Sequence, residues 1–260
     1  MRTLRGQAFV VLLALSSMSA QASDPASAPP LPADVIVQKL MAANARRAEA
    51  LRGYRGRRIY HLHYHGLFGT SDAEMVVEAT YTAPDKKEFK IISQTGSRLL
   101  IHVLLKLLSS EQEAQLPQNR KGQEITPANY EFSLDDTDRG SGGDFYVLNV
   151  KPRGRSEYLY RGKIWVDAHD FAEARMQGEP QKNPSLWVSH TQVEYRWANQ
   201  GGFWLPVHNE SVTHVRMGGK AVLTIDYSDY QIVRSNRVAS GQAVKESGTV
   251  PDPAVVTPPR

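Results

Sequence analysis

The chain has 260 residues, of which 41% are hydrophobic and 22% are charged, and this balance excludes a wholly disordered polymer. The net charge of +4 falls to +2 when Arg2 and Arg5 are removed with an export signal, so the charge does not indicate a nucleic-acid-binding protein. The sequence has no cysteine, which excludes disulfides, thiolate nucleophiles and Cys-ligated metal centres. The length favours a single domain.

The first 22 residues are typical of a secretory signal peptide. Arg2 and Arg5 precede an apolar run at residues 8–15, and Ala20-Gln21-Ala22 forms a site that signal peptidase could cleave. A membrane anchor is the alternative, but the apolar run is well short of the roughly 20 residues that a bilayer requires. We therefore expect the mature chain to begin at Ser23 and to reside in the periplasm.

Prolines mark both ends of the mature chain. Residues 23–32 contain four of them and cannot hold a helix or a sheet ladder, which predicts a tether. Residues 235–260 are poor in apolar side chains and close with four more, which predicts a disordered tail. The folded domain is expected at residues 33–234.

A first helix is predicted at residues 35–51. Asp34 can serve as its N-cap and Gly53 can end it. Apolar side chains recur at the three- and four-residue spacing of an amphipathic helix, at Val37, Leu40, Met41, Ala45, Ala48 and Leu51.

After this helix the hydrophobic period changes from 3.6 to 2, which predicts strands. The clearest are residues 74–82, 190–197 and 222–227, and others are residues 57–65, 87–94, 145–151, 157–166, 171–177 and 203–215. The short turns between them make neighbours antiparallel, so we expect an α+β fold with a strongly curved sheet of about nine or more strands. Its apolar face would line a cavity, with Met75, Val77, Tyr81, Val193, Tyr195, Leu223 and Ile225 as candidate lining residues.

A second helix, at residues 98–110, is apolar around most of its circumference. Arg98, His102 and Lys106 lie four apart, and nearly every other position is Leu, Ile or Val. Because it is too short to span a bilayer, we expect it to lie in the concave face of the sheet as a lid. The candidate lipid-binding residues of this lid are Leu99, Leu100, Val103, Leu104 and Leu107. Residues 111–122 are polar and are expected to cap the helix and loop back.

Three histidines, His61, His63 and His65, share one side of a predicted strand. Alternate residues of a strand face the same way, so this spacing could supply metal ligands. The opposite side carries Tyr60 and Leu62 and is the better candidate for the interior. We therefore expect the histidines to form a solvated outer face and predict no metal site.

No catalytic constellation is found in the sequence. Asp167, His169 and Asp170 could be read as an acid/base group, but they fall where one strand must reverse into the next, which favours a turn. The Gly-Gly pairs lack the strand-to-helix context of phosphate loops, and there is no Gly-x-Ser-x-Gly elbow. We expect neither an enzyme nor a cofactor.

Several short motifs together resemble the outer-membrane lipoprotein-sorting-like proteins. They are a helix that begins Ala33-Asp34-Val35 and runs through Ala43-Asn44-Ala45-Arg46-Arg47 to Leu51-Arg52-Gly53-Tyr54, the strand Tyr158-Leu159-Tyr160-Arg161-Gly162-Lys163-Ile164-Trp165-Val166-Asp167, and the segments Gly178-Glu179-Pro180 and Gly202-Phe203-Trp204-Leu205-Pro206. The similarity extends over residues 33–233. It implies the half-barrel fold of LolA, LolB and the N-terminal part of RseB, in which helices close the concave face of a curved sheet that receives acyl chains.

Three hypotheses for the function follow. The first is a periplasmic carrier or chaperone that holds the acyl chains of a lipid or lipoprotein in the half-barrel and exchanges them with a membrane-bound donor or acceptor protein. The second is an RseB-like sensor or interaction module whose protein contacts depend on lipid. The third is a metalloprotein that uses the histidines. Nucleic acid is not an expected partner.

Overall fold

The computed structural model describes residues 30–235 except residues 68, 115–121, 123, 141–142, 155–157, 183–187 and 217. The expected signal peptide, most of the tether and nearly all of the tail lie outside the described residues. The described elements in chain order are α1 (Ala33–Ala50), β1 (Leu51–Gly66), β2 (Gly69–Thr82), β3 (Lys86–Gly96), α2 (Arg98–Ala114), β4 (Tyr130–Gly140), β5 (Gly143–Pro152), β6 (Tyr160–Asp167), β7 (Glu173–Pro180), β8 (Val188–Gln200), β9 (Phe203–Val215) and β10 (Lys220–Arg234).

All ten strands form one antiparallel sheet in the order β3-β2-β1-β10-β9-β8-β7-β6-β5-β4. Consecutive strands pair with each other within two sets, β1 to β3 before α2 and β4 to β10 after it. The pairing of β1 with β10 joins these two sets. Strands β3 and β4 are the two edges, so the sheet is an open half-barrel. The α+β class and the curved antiparallel sheet expected from the sequence are confirmed.

Strand β4 is the strand that the sequence analysis missed. Its apolar alternation covers only Tyr130, Phe132 and Leu134, and polar residues follow. The register with β5 shifts between Leu134 and Asp136, so the second half of the strand no longer repeats the pattern of the first. An edge strand can tolerate this because only one of its sides pairs.

One face of the sheet carries a continuous row of inward-pointing side chains. Cross-strand pairing from β2 to β4 aligns Met75, Tyr60, Ile225, Asn209, Tyr195, Met176, Ile164, Leu148 and Leu134. Both helices cover this face. Helix α1 packs on the β4–β8 side through Ile36, Val37 and Leu40, while α2 packs on β1, β2 and β3.

The ends of α1 differ from the prediction. Pro32 occupies the N-cap position without a side-chain hydrogen bond, and Asp34 lies inside the first turn. The helix ends at Ala50 and passes directly into β1, so Gly53 is a strand residue. A Cβ at Gly53 would lie 2.5 Å from the carbonyl oxygen of Tyr81, so this glycine permits close approach of β2.

The buried side of α1 is also shifted from the predicted one. Ile36, Val37, Leu40 and Ala43 are buried, whereas Met41, Ala45 and Ala48 are exposed. Alanine is tolerated on both the buried and the exposed side of a helix. The contact with the sheet, and not the periodicity, therefore decides which side of α1 is buried.

Two other boundaries are corrected by the structure. Phe171 is not in a strand: its φ is +46°, and its N–H donates to the carbonyl of Asp167 within the turn before β7. Residues 111–114 are not a loop but the last turn of α2. None of the helices among the described residues has the length and apolarity needed to cross a membrane.

Candidate functional site

The concave face beneath α2 is the candidate site. Leu100, Leu104 and Leu108 lie four residues apart on α2, and all three are buried. They pack against the wall formed by Tyr60, Leu62, Ala73, Met75, Val77 and Ile225 from β1, β2 and β10. The helix therefore covers this apolar wall.

The five predicted lid residues are divided between two sides of α2. Leu100 and Leu104 face the sheet, but Leu99, Val103 and Leu107 are 74%, 50% and 36% exposed. The two sets cannot face the sheet together because consecutive residues are about 100° apart on a helix. We call Leu99, Val103 and Leu107 the outer stripe of α2.

The predicted cavity-lining residues lie on the concave face, but in different clusters. Met75, Val77 and Ile225 are buried under α2, and Leu223 packs partly against them. The remaining three lie farther away. Val193 and Tyr195 belong to the cluster under α1, and Tyr81 contacts Tyr54 in a tilted arrangement with ring centroids 5.4 Å apart.

An ionic cluster that the sequence analysis missed lies at the end of the apolar wall. The Arg58 guanidinium donates from Nη1 to both carboxylate oxygens of Glu111, at 3.1 and 2.8 Å. Lys87 on β3 also forms a short ion pair with Glu111. We call Arg58, Lys87 and Glu111 the ionic cluster; it joins α2 to strands β1 and β3.

Aromatic rings enclose the arginine of this cluster. The Arg58 guanidinium carbon lies 5.1 Å from the ring centre of Phe89 and 5.0 Å from that of Tyr227, distances that permit cation–π attraction. Its Nη1 also donates to the hydroxyl of Tyr60 at 3.2 Å. With 4% of its side chain exposed, Arg58 is a buried cation held by one carboxylate, two aromatic rings and one phenol hydroxyl.

The environment shifts the pKa values within the cluster. Burial would raise the pKa of Glu111, but Lys87 and Arg58 together outweigh that effect and lower it, so the carboxylate is ionised at neutral pH. Burial would lower the pKa of Arg58, and Glu111 reverses this shift and raises it. Burial raises the pKa of Tyr60 and Tyr227 and keeps both phenols neutral.

A pattern in the sequence could have located this cluster. Position 58 belongs to the inward-facing side of β1 together with Tyr60 and Leu62, so an arginine there interrupts an apolar face. Glu111 follows Leu104 by seven and Leu108 by three, which places it on the buried side of α2. Oppositely charged residues at positions that the hydrophobic periodicity assigns to the interior indicate a buried ion pair.

The outer face of the sheet carries the histidines, as expected. His61 lies 3.4 Å from Glu74, and His63 contacts Asp72 of the neighbouring strand. His65 lies 3.0 Å from the Thr70 hydroxyl. In the described part of the chain, no group of three or more His, Asp or Glu side chains is arranged to hold a metal ion.

The predicted turn at residues 167–170 is confirmed. The Asp167 side chain accepts hydrogen bonds from the N–H groups of His169 and Asp170, at 2.9 and 2.6 Å. Asp170 in turn accepts from the Trp204 indole at 2.8 Å. These carboxylates therefore serve the turn and its contact with β9.

Open clefts occur on the outer face and at one end of the sheet. One of about 460 Å³ lies across β4, β5 and β6 and is lined by Glu131, Ser133, Asn149, Lys151, Arg161 and Lys163. Another contains His61, His63, Asp72 and Glu74. Both clefts lie on the face of the sheet that carries the histidines, opposite α2.

No protein-family model matches the sequence, and no curated protein matches it. Among solved structures, a domain named for outer membrane lipoprotein sorting from Vibrio parahaemolyticus is 12% identical, with a TM-score of 0.44, over 80% of this chain and 94% of that chain. A DUF1329 family protein from Desulfovibrio piger is 12% identical, with a TM-score of 0.38, over 78% and 94%. A LolA superfamily protein from Nitrosomonas europaea is 14% identical, with a TM-score of 0.31, over 78% and 94%.

Proposed function

We propose that this protein is a non-enzymatic periplasmic carrier that holds the acyl chains of a lipid or lipoprotein against the concave face of its half-barrel, with α2 as the lid. The observation that supports this proposal is the placement of α2. It is an apolar helix that covers an apolar wall, and it leaves a second set of apolar side chains exposed.

The composition of α2 is unusual for a helix at a protein surface. Residues 98–110 contain no acidic side chain, and the outer stripe exposes Leu99 at 74%. The exposed side of α2 also carries Arg98, His102 and Lys106, but the outer stripe beside these cations is apolar. Apolar residues on both sides suit a helix that changes its surroundings when a ligand enters.

An acyl chain could replace the apolar contacts that α2 makes with the wall. Three leucines of α2 cover the wall of Tyr60, Leu62 and Met75, and an acyl chain in their place would contact the same apolar side chains. Each buried CH₂ contributes about 0.8 kcal/mol, so a long chain compensates for the lost leucine contacts. No covalent chemistry is needed for uptake or release.

The outer stripe also favours a second candidate function, a lipid-responsive interaction module. Leu99 and Val103 lie on α2, and Ile91 and Ile92 are exposed on the neighbouring edge strand β3. Exposed apolar side chains beside an unpaired strand edge could contact a donor, an acceptor or a signalling partner. A change in the position of α2 would alter this surface.

Mass spectrometry of an organic extract of the purified protein tests the proposal directly. We expect a copurified lipid, uptake of a fluorescent fatty-acid analogue, and a gain in thermal stability that rises with the logarithm of ligand concentration. Leu104→Asp should fold but lose uptake, because its charge prevents α2 from closing over the wall. Leu99→Asp, at the exposed stripe, should retain uptake.

A different pattern of results would contradict the carrier function. If the wild type shows neither uptake nor ligand-dependent stabilisation, and Leu104→Asp simply unfolds, then α2 belongs to a closed core. Pulldown of a protein partner only in the presence of lipid, without transfer of lipid between vesicles, would favour the interaction module.

A further inference from the structure

We propose that Arg58 and Lys87 form a binding site for the anionic group of an amphiphile, a carboxylate or a phosphate, and that Glu111 occupies this site while α2 is closed. The inference rests on the proposed function, because it requires α2 to move away from the wall. It adds the chemical class of the ligand, an anionic rather than a neutral lipid.

The contacts of Glu111 show what the site accepts. Its two carboxylate oxygens receive hydrogen bonds from Arg58, and Lys87 supplies a second cation to one of them. A guanidinium and an ammonium that converge on two oxygens would hold a fatty-acid carboxylate or a phosphate oxygen pair in the same way. Glu111 therefore acts as an internal carboxylate ligand.

The charges of the cluster favour an anion after α2 opens. The ion pairs that Arg58 and Lys87 make among the described residues both go to Glu111, so two cations share one carboxylate. Arg58 is buried and enclosed by the rings of Phe89 and Tyr227. Removal of Glu111 without a replacement would leave this cation unpaired, which is costly in a buried site.

The buried side of α2 has the same order of groups as an anionic lipid. Leu100, Leu104 and Leu108 form an apolar stripe, and Glu111 follows at its end. Eleven residues separate the first leucine from the carboxylate, which corresponds to roughly 16 Å along a helix. An amphiphile could place its chain along Tyr60 and Met75 and its anionic group at Arg58.

The test compares two probes with the same chain, cis-parinaric acid and its methyl ester, in binding to the full-length protein. We expect the wild type to bind the acid at least tenfold more tightly than the ester at pH 7. Glu111→Gln should bind both probes more tightly because the lid loses its ion pair, with the tenfold selectivity retained. The neutral cluster Arg58→Gln/Lys87→Gln/Glu111→Gln should bind both probes equally.

Further arms identify the source of the anionic group and control for surface charge. A lysophospholipid with a terminal phosphate should displace the acid, whereas inorganic phosphate at the same concentration should not. Lys106→Gln, which removes an exposed cation of α2, should leave the selectivity unchanged.

The outcomes separate this inference from the function on which it rests. Equal binding of acid and ester by the wild type would overturn the anionic site while the carrier function stands. Displacement by inorganic phosphate as effective as by the lysophospholipid would also overturn it, because the site would then bind a free anion. Failure of the wild type to bind either probe would reject both the carrier function and the inference.

Discussion

The guanidinium of Arg58 on β1 donates two hydrogen bonds, of 3.1 and 2.8 Å, to the carboxylate of Glu111 on α2, across 53 positions of the chain. This contact lies at the C-terminal end of the helix, whereas Leu100 and Leu104 hold its first half by apolar packing alone. Two different kinds of interaction therefore hold α2 on the sheet, and they respond to different changes in solution conditions.

The ion pair makes the stability depend on pH. We expect Glu111→Gln to lower the free energy of unfolding by about 2 kcal/mol at pH 7, less than for a fully buried pair because the carboxylate keeps some contact with water. The pKa of Glu111 is lowered in the folded state, so its contribution is present above the unfolded value of 4.5 and is lost as the pH falls through the folded value.

Urea denaturation at pH 7 and at a series of lower pH values measures this effect. The difference between the wild type and Glu111→Gln should shrink below about pH 4.5. Glu88→Gln is the matched control, because its ion pair with Lys86 is exposed and should contribute less than about 1 kcal/mol. A difference that persists unchanged at the lowest pH would show that the loss does not come from the ionised carboxylate.

Truncation of the two sides of α2 should have unequal effects. Leu104→Ala removes a fully buried side chain and should cost about 2–5 kcal/mol, since it leaves a cavity against Met75. Leu99→Ala should change the stability by no more than about 0.5 kcal/mol because this leucine is exposed. Equal losses in thermal or chemical denaturation would contradict the orientation of α2 described above.

Gly162 on β6 should not tolerate a side chain. A Cβ at this position would lie 2.6 Å from the Cα of Gly178 and would also overlap the carbonyl oxygen of Gln177 on β7. Gly162→Ala should therefore lower the stability by about 1–3 kcal/mol. Gly154→Ala, which meets nothing within 4 Å, is the matched control and should leave the unfolding midpoint unchanged.

Export should remove the first 22 residues. The short apolar run and the Ala20-Gln21-Ala22 site predict that intact-mass analysis of protein from the periplasmic fraction shows a chain that begins at Ser23. Ala22→Asp should block cleavage, because signal peptidase requires a small residue there. Recovery of uncleaved wild-type chain in the membrane fraction would favour an anchor instead.

The histidines of the outer face should not hold a functional metal. His61 and His63 each have a ring nitrogen beside a carboxylate on β2, so these nitrogens have a polar partner without a metal ion. We expect metal analysis of the purified protein to find less than one equivalent of zinc or copper. A stoichiometric metal that disappears when His61, His63 and His65 are all changed to Ala would show that this prediction is wrong.

The division of the strands into two faces was predictable from the sequence because it depends on local alternation. The pattern around Tyr60 and Leu62 placed the histidines outside, and the structure has them there. The turn at Asp167 was predictable for the same reason, since its hydrogen bonds join residues two and three positions apart. Contacts between near neighbours can be read from residue type and spacing.

Helix α1 shows that hydrophobic periodicity predicts the presence of a helix but not its exact ends or its buried side. Its apolar spacing predicted a helix correctly, but its start, its end and its buried side all differ from the prediction. Leu51 begins β1 because it pairs with Arg234 at the far end of the chain. A pairing partner nearly two hundred positions away has no local signal.

The sequence by itself determined that residues 98–110 form an apolar helix that must be covered, and that a curved sheet is the surface available to cover it. Only the tertiary structure decided that Leu100 and Leu104 face that sheet while Leu99 and Val103 do not, because the choice depends on where β1, β2 and β3 lie. It also placed Glu111 beside Arg58 and Lys87. Charged residues are ordinarily assigned to solvent, and they can be buried only when the fold brings opposite charges together.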